Sequence, residues 1–145
     1  MSQYDYFIAG RWRNFKNIRP IAAKIRATGK TAYCFMENEY DGHGVKNELE
    51  PKDVESQMKD NESLKDWQNN PTFRKIFETD MQALRDSDAI IAVFPLGFSA
   101  HTELGAAFGM GKKCYGIGTP EKAETLYFIF DGIFPTVDEF VEQVR

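Results

Sequence analysis

Two cysteines and two histidines are all the soft ligands this chain offers a transition metal. Cys34, Cys114, His43 and His101 are scattered with no ligand spacing among them. A zinc site closes on four such groups at short, regular intervals, so no metal is expected, and no organic cofactor either. Cys34 and Cys114 fall in the apolar segments Tyr33–Met36 and Lys113–Ile117 and read as buried thiols in a reducing compartment. No apolar run approaches the roughly 20 residues that span a bilayer. The N-terminus lacks the basic-then-apolar pattern of a secretory signal. A cytoplasmic location and no membrane partner are therefore expected. Positive charge is not in excess, since 18 Lys and Arg against 22 Asp and Glu leave a net charge of −4. Polymeric nucleic acid, which needs a basic face to displace counterions, is an unsuitable partner, whereas a single nucleotide needs only a few placed groups. The glycines of Gly105–Gly118 do not follow a strand in dinucleotide-binding order, and there is no nucleophilic serine elbow.

What is present suits one globular domain over 1–145, with 42% hydrophobic and 28% charged residues. Tyr4–Ala9 is a short apolar run ending at Gly10 and reads as the first strand. Asn17–Thr28 places Ile18, Ile21, Ala22 and Ile25 at helical spacing, with Gly29 as its C-cap, and Ala32–Met36 reads as a second strand. From Glu37 to Asn70 the chain is polar, with turn signals at Asp41-Gly42 and His43-Gly44 and a breaker at Pro51. That length suits a lid or short helices, with Asp53–Lys59 and Leu64–Trp67 as helix candidates.

Asn70-Pro71 is an N-cap followed by proline at the first helical position. The spacing predicts a helix to about Asp86, with Phe73, Ile76, Phe77 and Leu84 on its apolar face. Ala89–Phe94 is a continuous apolar run, the pattern of a central parallel strand. Pro95–Ser99 follows as a tight loop, then a small-residue helix over Ala100–Met110 and a strand over Lys113–Ile117. Glu121–Phe130 reads as helix or strand, Ile133-Phe134 as a short last strand, and Thr136–Gln143 as an amphipathic terminal helix capped by Thr136. Alternating strands and helices imply a doubly wound parallel sheet, a flavodoxin-like or Rossmann-like three-layer α/β sandwich. Ligands in such folds bind beyond the carboxyl ends of the strands at the switch point. That directs attention to Gly10–Asn14, Glu37–Gly44, Pro95–Glu103 and Gly118–Pro120.

Several residues sit oddly in a purely structural reading. Asp80 lies seven after Phe73, four after Ile76 and four before Leu84, on the face expected to be buried. Either it reaches solvent at the edge of that face, or it is paired, hydrogen-bonded or functional. Glu103 falls in the first turn of the helix after the most apolar strand. Complementing the helix dipole there explains it without any chemistry. Against that stands its neighbourhood, Gly97-Phe98-Ser99-Ala100-His101-Thr102, where small and hydroxylated residues meet free backbone N–H groups able to hold an anion. His101 is a cap or surface residue, or with Ser99 binds a phosphate or sugar hydroxyl. Tyr6 is a core aromatic or faces the crevice. Arg11 and Arg13 are surface charges or phosphate contacts.

These residues also carry a resemblance. Tyr6-Phe7-Ile8-Ala9-Gly10 resembles the first strand of the nucleoside 2-deoxyribosyltransferases, with a tyrosine four residues ahead of a glycine. Asp80 to Phe94 is similar to that family's helix-to-strand passage, including an acid at the position of Asp80. Thr102-Glu103-Leu104-Gly105-Ala106-Ala107 with Gly111-Lys112-Lys113 resembles its E-L-G-x-A…G-K signature. The resemblance implies cleavage of the N-glycosidic bond of a (deoxy)ribonucleoside or its 5′-monophosphate through a covalent glycosyl-glutamate. It implies Glu103 as an ionised nucleophile, Asp80 as the acid that serves the departing base with a pKa raised by partial burial, and Tyr6 as the residue orienting Glu103. Gly10, Arg11, Gly97, Ser99 and His101 would meet substrate. It also implies a homodimer or larger assembly, with sites completed across subunits.

Two departures shift the expected substrate. The family's aspartate six residues before the nucleophile, which holds the sugar 5′-hydroxyl, is here Gly97, and no asparagine follows Asn70 to serve a neighbouring site. Neutral groups and helix N–H donors in place of a carboxylate favour a 5′-phosphate. The alternatives are a catalytically silent nucleotide-binding module on the same fold, and hydrolysis of a dinucleotide at its nicotinamide–ribose bond.

Overall fold

The computed structural model describes residues 2–38 and 51–144. The turn signals Asp41-Gly42 and His43-Gly44, with most of the segment expected near the crevice, lie outside the described residues.

Five strands form one parallel sheet in the order β2-β1-β3-β4-β5, with β1 Tyr4–Ala9, β2 Ala32–Cys34, β3 Ser87–Val93, β4 Lys113–Ile117 and β5 Gly132–Phe134. This is the doubly wound α/β arrangement expected from the sequence. The two strands richest in uninterrupted apolar residues take the middle. Phe7, Ile8 and Ala9 of β1 and Ile90, Ile91 and Ala92 of β3 are wholly buried, and Phe7 lies beside Ile90 in the ladder. Because β1 is flanked by β2 on one side and β3 on the other, the chain reverses its winding between β1 and β3. The crevice beyond their carboxyl ends is the switch point.

Helices α1 Phe15–Arg26 and α5 Val137–Gln143 pack side by side on one face of the sheet, joined by a salt bridge between Lys24 and Asp138 at 3.0 Å. Helices α3 Pro71–Arg85 and α4 Phe98–Gly109 pack together on the other. Between β2 and α3, helix α2 Pro51–Glu62 docks on the turn Trp12–Asn14. No helix among the described residues is long and apolar enough to cross a membrane.

Local signals placed most ends of these elements. The Asn70 side chain accepts from the Phe73 N–H at 3.0 Å and Pro71 occupies the first turn, a cap of about 1 kcal/mol. Thr136 accepts from the Glu139 N–H at 3.2 Å and starts α5. Helix α1 ends two residues earlier than its glycine suggests. Ala27 is the C-cap, and Gly29, at φ +89°, turns the chain toward β2.

Several expectations fail locally, among them the helix at Leu64–Trp67, of which only Trp67 is helical, as the first residue of a 3-10 turn. Strand β2 stops at Cys34 because Phe35–Glu37 winds into a 3-10 turn. Of 121–130, only Thr125–Ile129 is helical, again as 3-10; its aromatic content serves loop packing. On α3 the buried residues are Ala83 and Leu84, while Phe77 is 53% exposed. The apolar face of that helix sinks into the core only at its C-terminal end.

Candidate active site

Helix α4 begins at Phe98, two residues before the sequence suggests, so Glu103 lies in the second turn and the first turn holds no acid. Dipole complementation, which fades beyond the first turn, no longer explains this residue. With Ala100, Leu104 and Ala107 it forms the buried stripe of α4, and it is only 9% exposed. An ionised carboxylate is costly in such a place. Burial, and then the nearby charge of Asp80, push the Glu103 carboxyl up to about 8. Both causes favour the protonated form of Glu103 and so oppose the expectation of an ionised carboxylate.

Asp80 reaches the same place from α3. It is half-buried, and its Oδ1 accepts a 2.6 Å hydrogen bond from the Tyr33 hydroxyl, which in turn accepts from the Asn38 amide. A donor on Asp80 favours its charged form. The expectation that partial burial keeps Asp80 protonated is thus opposed by a hydrogen bond of the opposite effect. The surroundings thus favour the neutral form of Glu103, while the Tyr33 hydroxyl favours the charged form of Asp80.

Tyr6 does not join them. Side chains alternate across a strand. Phe7 stacks on Tyr33 at 5.2 Å on the face of α3 and α4, whereas Tyr6 packs its edge on Phe140 of α5 at 5.6 Å. There it lines a cavity of about 420 Å3 with Ile25, Lys30 and Val144. The expected role of Tyr6 in orienting Glu103 is excluded by this geometry. The tyrosine beside the carboxyl pair is Tyr33, missed because an apolar segment labels its aromatic as core and a contact 47 residues distant leaves no local trace.

At the switch point the structure brings Arg11 and Gly97 together. A Cβ on Gly97 would stand 3.2 Å from Arg11 Cγ and 3.5 Å from its Nε. Among the described residues Arg11 makes no salt bridge. Gly97 precedes α4, whose opening N–H groups at Phe98, Ser99 and Ala100 have no partner within the helix. The Ser99 side chain is exposed. Gly10, at the end of β1, has a packing role: a Cβ there would come within 2.5 Å of Ile18 Cδ1. Asn14 Nδ2 closes the two strand ends by donating to the Phe94 carbonyl at 3.4 Å.

His101 and Arg13 are already engaged. His101 Nδ1 lies 2.9 Å from the Gly97 carbonyl oxygen and Nε2 2.9 Å from the Tyr127 hydroxyl, whose ring stacks on it at 5.9 Å. With Nδ1 donating to the carbonyl, Nε2 accepts from Tyr127. His101 thus ties the Thr125–Ile129 turn to α4, with both ring nitrogens engaged there. Arg13 is held by Glu55 at 2.6 Å and Glu62 at 2.6 Å on α2, which removes it as a phosphate contact. Among the described residues no group of three or more His, Cys, Asp or Glu is arranged to hold a metal ion.

No family model and no curated protein matches the sequence. A solved structure does match: a 2-deoxyribosyltransferase from the psychrotolerant bacterium Bacillus psychrosaccharolyticus, with a TM-score of 0.60 over 95% of this chain and 90% of that one. The two share a fold. Identity between them is 13%, so the likeness establishes the architecture and leaves the chemistry to the residues. The shared architecture is the doubly wound sheet described above.

Proposed function

We propose that the protein breaks the N-glycosidic bond of a nucleoside 5′-monophosphate, with Glu103 as nucleophile and Asp80 as the acid for the leaving base. The observation that carries this reading is the carboxyl of Glu103, 9% exposed and raised to about 8 in the field of Asp80. Two carboxyl groups whose proton affinities are driven apart by their surroundings divide the roles of nucleophile and acid.

The resting proton is on the wrong partner for attack, so the reaction begins by passing it. Glu103 gives its proton to Asp80, and the Glu103 carboxylate then bonds to the anomeric carbon. The bond from that carbon to the base nitrogen breaks, its electron pair leaves with the base, and Asp80 returns the proton to that nitrogen. Water, or a second base, then bonds to the anomeric carbon and gives its proton to the Asp80 carboxylate, while the bond from that carbon to Glu103 breaks with its electron pair on the Glu103 oxygen. Charge, proton and electron pair balance at each stage.

The 5′-phosphate preference rests on Arg11, Gly97 and the start of α4. A phosphate at this point meets a guanidinium without a salt bridge among the described residues, the free N–H groups of a helix start and the Ser99 hydroxyl. A carboxylate at position 97 would compete for Arg11 and repel the phosphate.

An assembly of two or more copies is part of the proposal. Phe98, Phe108 and Met110 on or just past α4 and Phe77 on α3 are 95%, 55%, 42% and 53% exposed. Sedimentation at several concentrations tests it, a monomer throughout being the contrary result.

The activity is tested with a panel of ribo- and deoxyribonucleosides and their 5′-monophosphates, with and without free adenine, by chromatography of released or exchanged base. Release from monophosphates with little from nucleosides supports the reading. Exchange on free nucleosides would reassign the chain to transfer. Silence across the panel, with saturable binding of a monophosphate, would make it a nucleotide-binding module.

A further inference from the structure

We propose that Tyr33, backed by Asn38, is a positioning residue that fixes Asp80 as the anionic member of the carboxyl pair and so assigns the shared proton to Glu103 until substrate arrives. This rests on the reading of Asp80 and Glu103 as the reacting groups.

The geometry leaves Tyr33 little freedom. Its ring is stacked on Phe7 at 5.2 Å with an interplanar angle of 19°, and Tyr4 meets it edge-on at 5.5 Å. The residue is 8% exposed. The Asn38 amide donates to the phenol oxygen, so the phenol's own proton points elsewhere, and the Oδ1 of Asp80 receives it at 2.6 Å. That separation is the one expected for a hydroxyl bonded to an ionised carboxylate, about 2.5–2.7 Å. A donor that itself accepts a hydrogen bond is polarised and binds an anion more strongly. The chain Asn38–Tyr33–Asp80 therefore runs in one direction and ends on a negative charge.

Beside α3 and α4, β1 presents Phe7 and Ala9, and β3 presents Ile90 and Ala92. Strand β4 contributes Cys114, a thiol that burial and Asp131 raise to about 11, so it stays neutral. Among the described residues, the titratable groups gathered at this place include Tyr33 from β2, Asp80 from α3 and Glu103 from α4. Of these, Tyr33 donates to Asp80.

Such an arrangement makes the carboxyl pair inert until a base meets Asp80. With Asp80 ionised and Glu103 protonated, the nucleophile is masked, and Asp80 has no proton to give the leaving base. A substrate whose base offers a basic nitrogen to Asp80 draws the proton across.

The test reads the carboxyl groups directly in the empty protein, by NMR titration of 13C-carboxyl-labelled aspartate and glutamate. Spectra of wild type are compared with Tyr33→Phe, and Asp80→Asn and Glu103→Gln assign the signals. Phenylalanine keeps the stack on Phe7 and removes only the donor. The expected result is that Asp80 ionises about one pH unit higher in Tyr33→Phe, since a hydrogen bond to a charged group is worth a shift of that order. Glu103 remains the last of the two to ionise. Asn38→Leu, which leaves Tyr33 in place without its backing donor, should move Asp80 the same way by less. It serves if Tyr33→Phe does not fold. An Asp80 titration unmoved in the variants that fold overturns the proposal. In turnover, the acid limb of the kcat/KM profile should rise with Asp80, where a merely structural loss would lower the profile without moving it. If the titration moves as expected while wild type releases no base from any nucleotide, the positioning role stands and the proposed activity falls.

Discussion

The side chain of Arg11 lies flat against Gly97, so close that a Cβ at position 97 would stand 3.2 Å from Arg11 Cγ. The residue at 97 therefore sets what Arg11 can do. Glycine leaves the guanidinium free to turn toward an anion above α4, and a carboxylate would take it as a salt-bridge partner.

Gly97→Asp is expected to raise KM for nucleoside 5′-monophosphates by roughly tenfold or more, the loss of one charge-assisted contact, and to improve the use of free nucleosides. Steady-state kinetics on matched pairs checks this. Equal effects on both substrate classes would detach the phosphate from this corner of the crevice.

Tyr6→Phe is expected to leave kcat and KM within about twofold, because the hydroxyl lies across the sheet from Glu103 beside Phe140. A loss of a hundredfold in kcat with the fold intact would return Tyr6 to the site.

Glu103 makes stability depend on pH in a definite direction. Its carboxyl ionises near 4.5 when unfolded and at about 8 when folded. Its contribution is fully present below about 4.5 and is lost as pH rises through about 8, because the unfolded state gives up the proton first. Glu103→Gln, which cannot ionise, should match wild type near pH 4.5 and exceed it at pH 8.5 by roughly a few kcal/mol. Denaturant melts at the two pH values check this, and a gap that does not widen with pH contradicts it.

Much of the sheet was legible because a parallel strand buried on both faces must be apolar throughout. The apolar runs Ala89–Phe94 and Tyr4–Ala9 point to β3 and β1 in that way, and Asn70-Pro71 and Thr136 mark helix starts by local hydrogen bonding alone. The site was legible only in part. Asp80 and Glu103 stood out as acids in apolar company, and the fold brings them into each other's field. Which face a strand residue takes depends on register with its neighbours. Tyr6 and Tyr33 could not be sorted from one chain of letters, and Tyr6 was given the place near the carboxyl pair that belongs to Tyr33. His101 looked available for the same reason, since its partner Tyr127 lies 26 residues away.

The most direct measurement is mass spectrometry of protein quenched during turnover with a deoxyribonucleoside 5′-monophosphate, followed by peptide mapping. The account predicts a mass gain of one deoxyribose phosphate residue, borne on the peptide containing Glu103 and absent from Glu103→Gln, which should release no base. Base release by Glu103→Gln at near the wild-type rate, or a sugar carried on another residue, would contradict it.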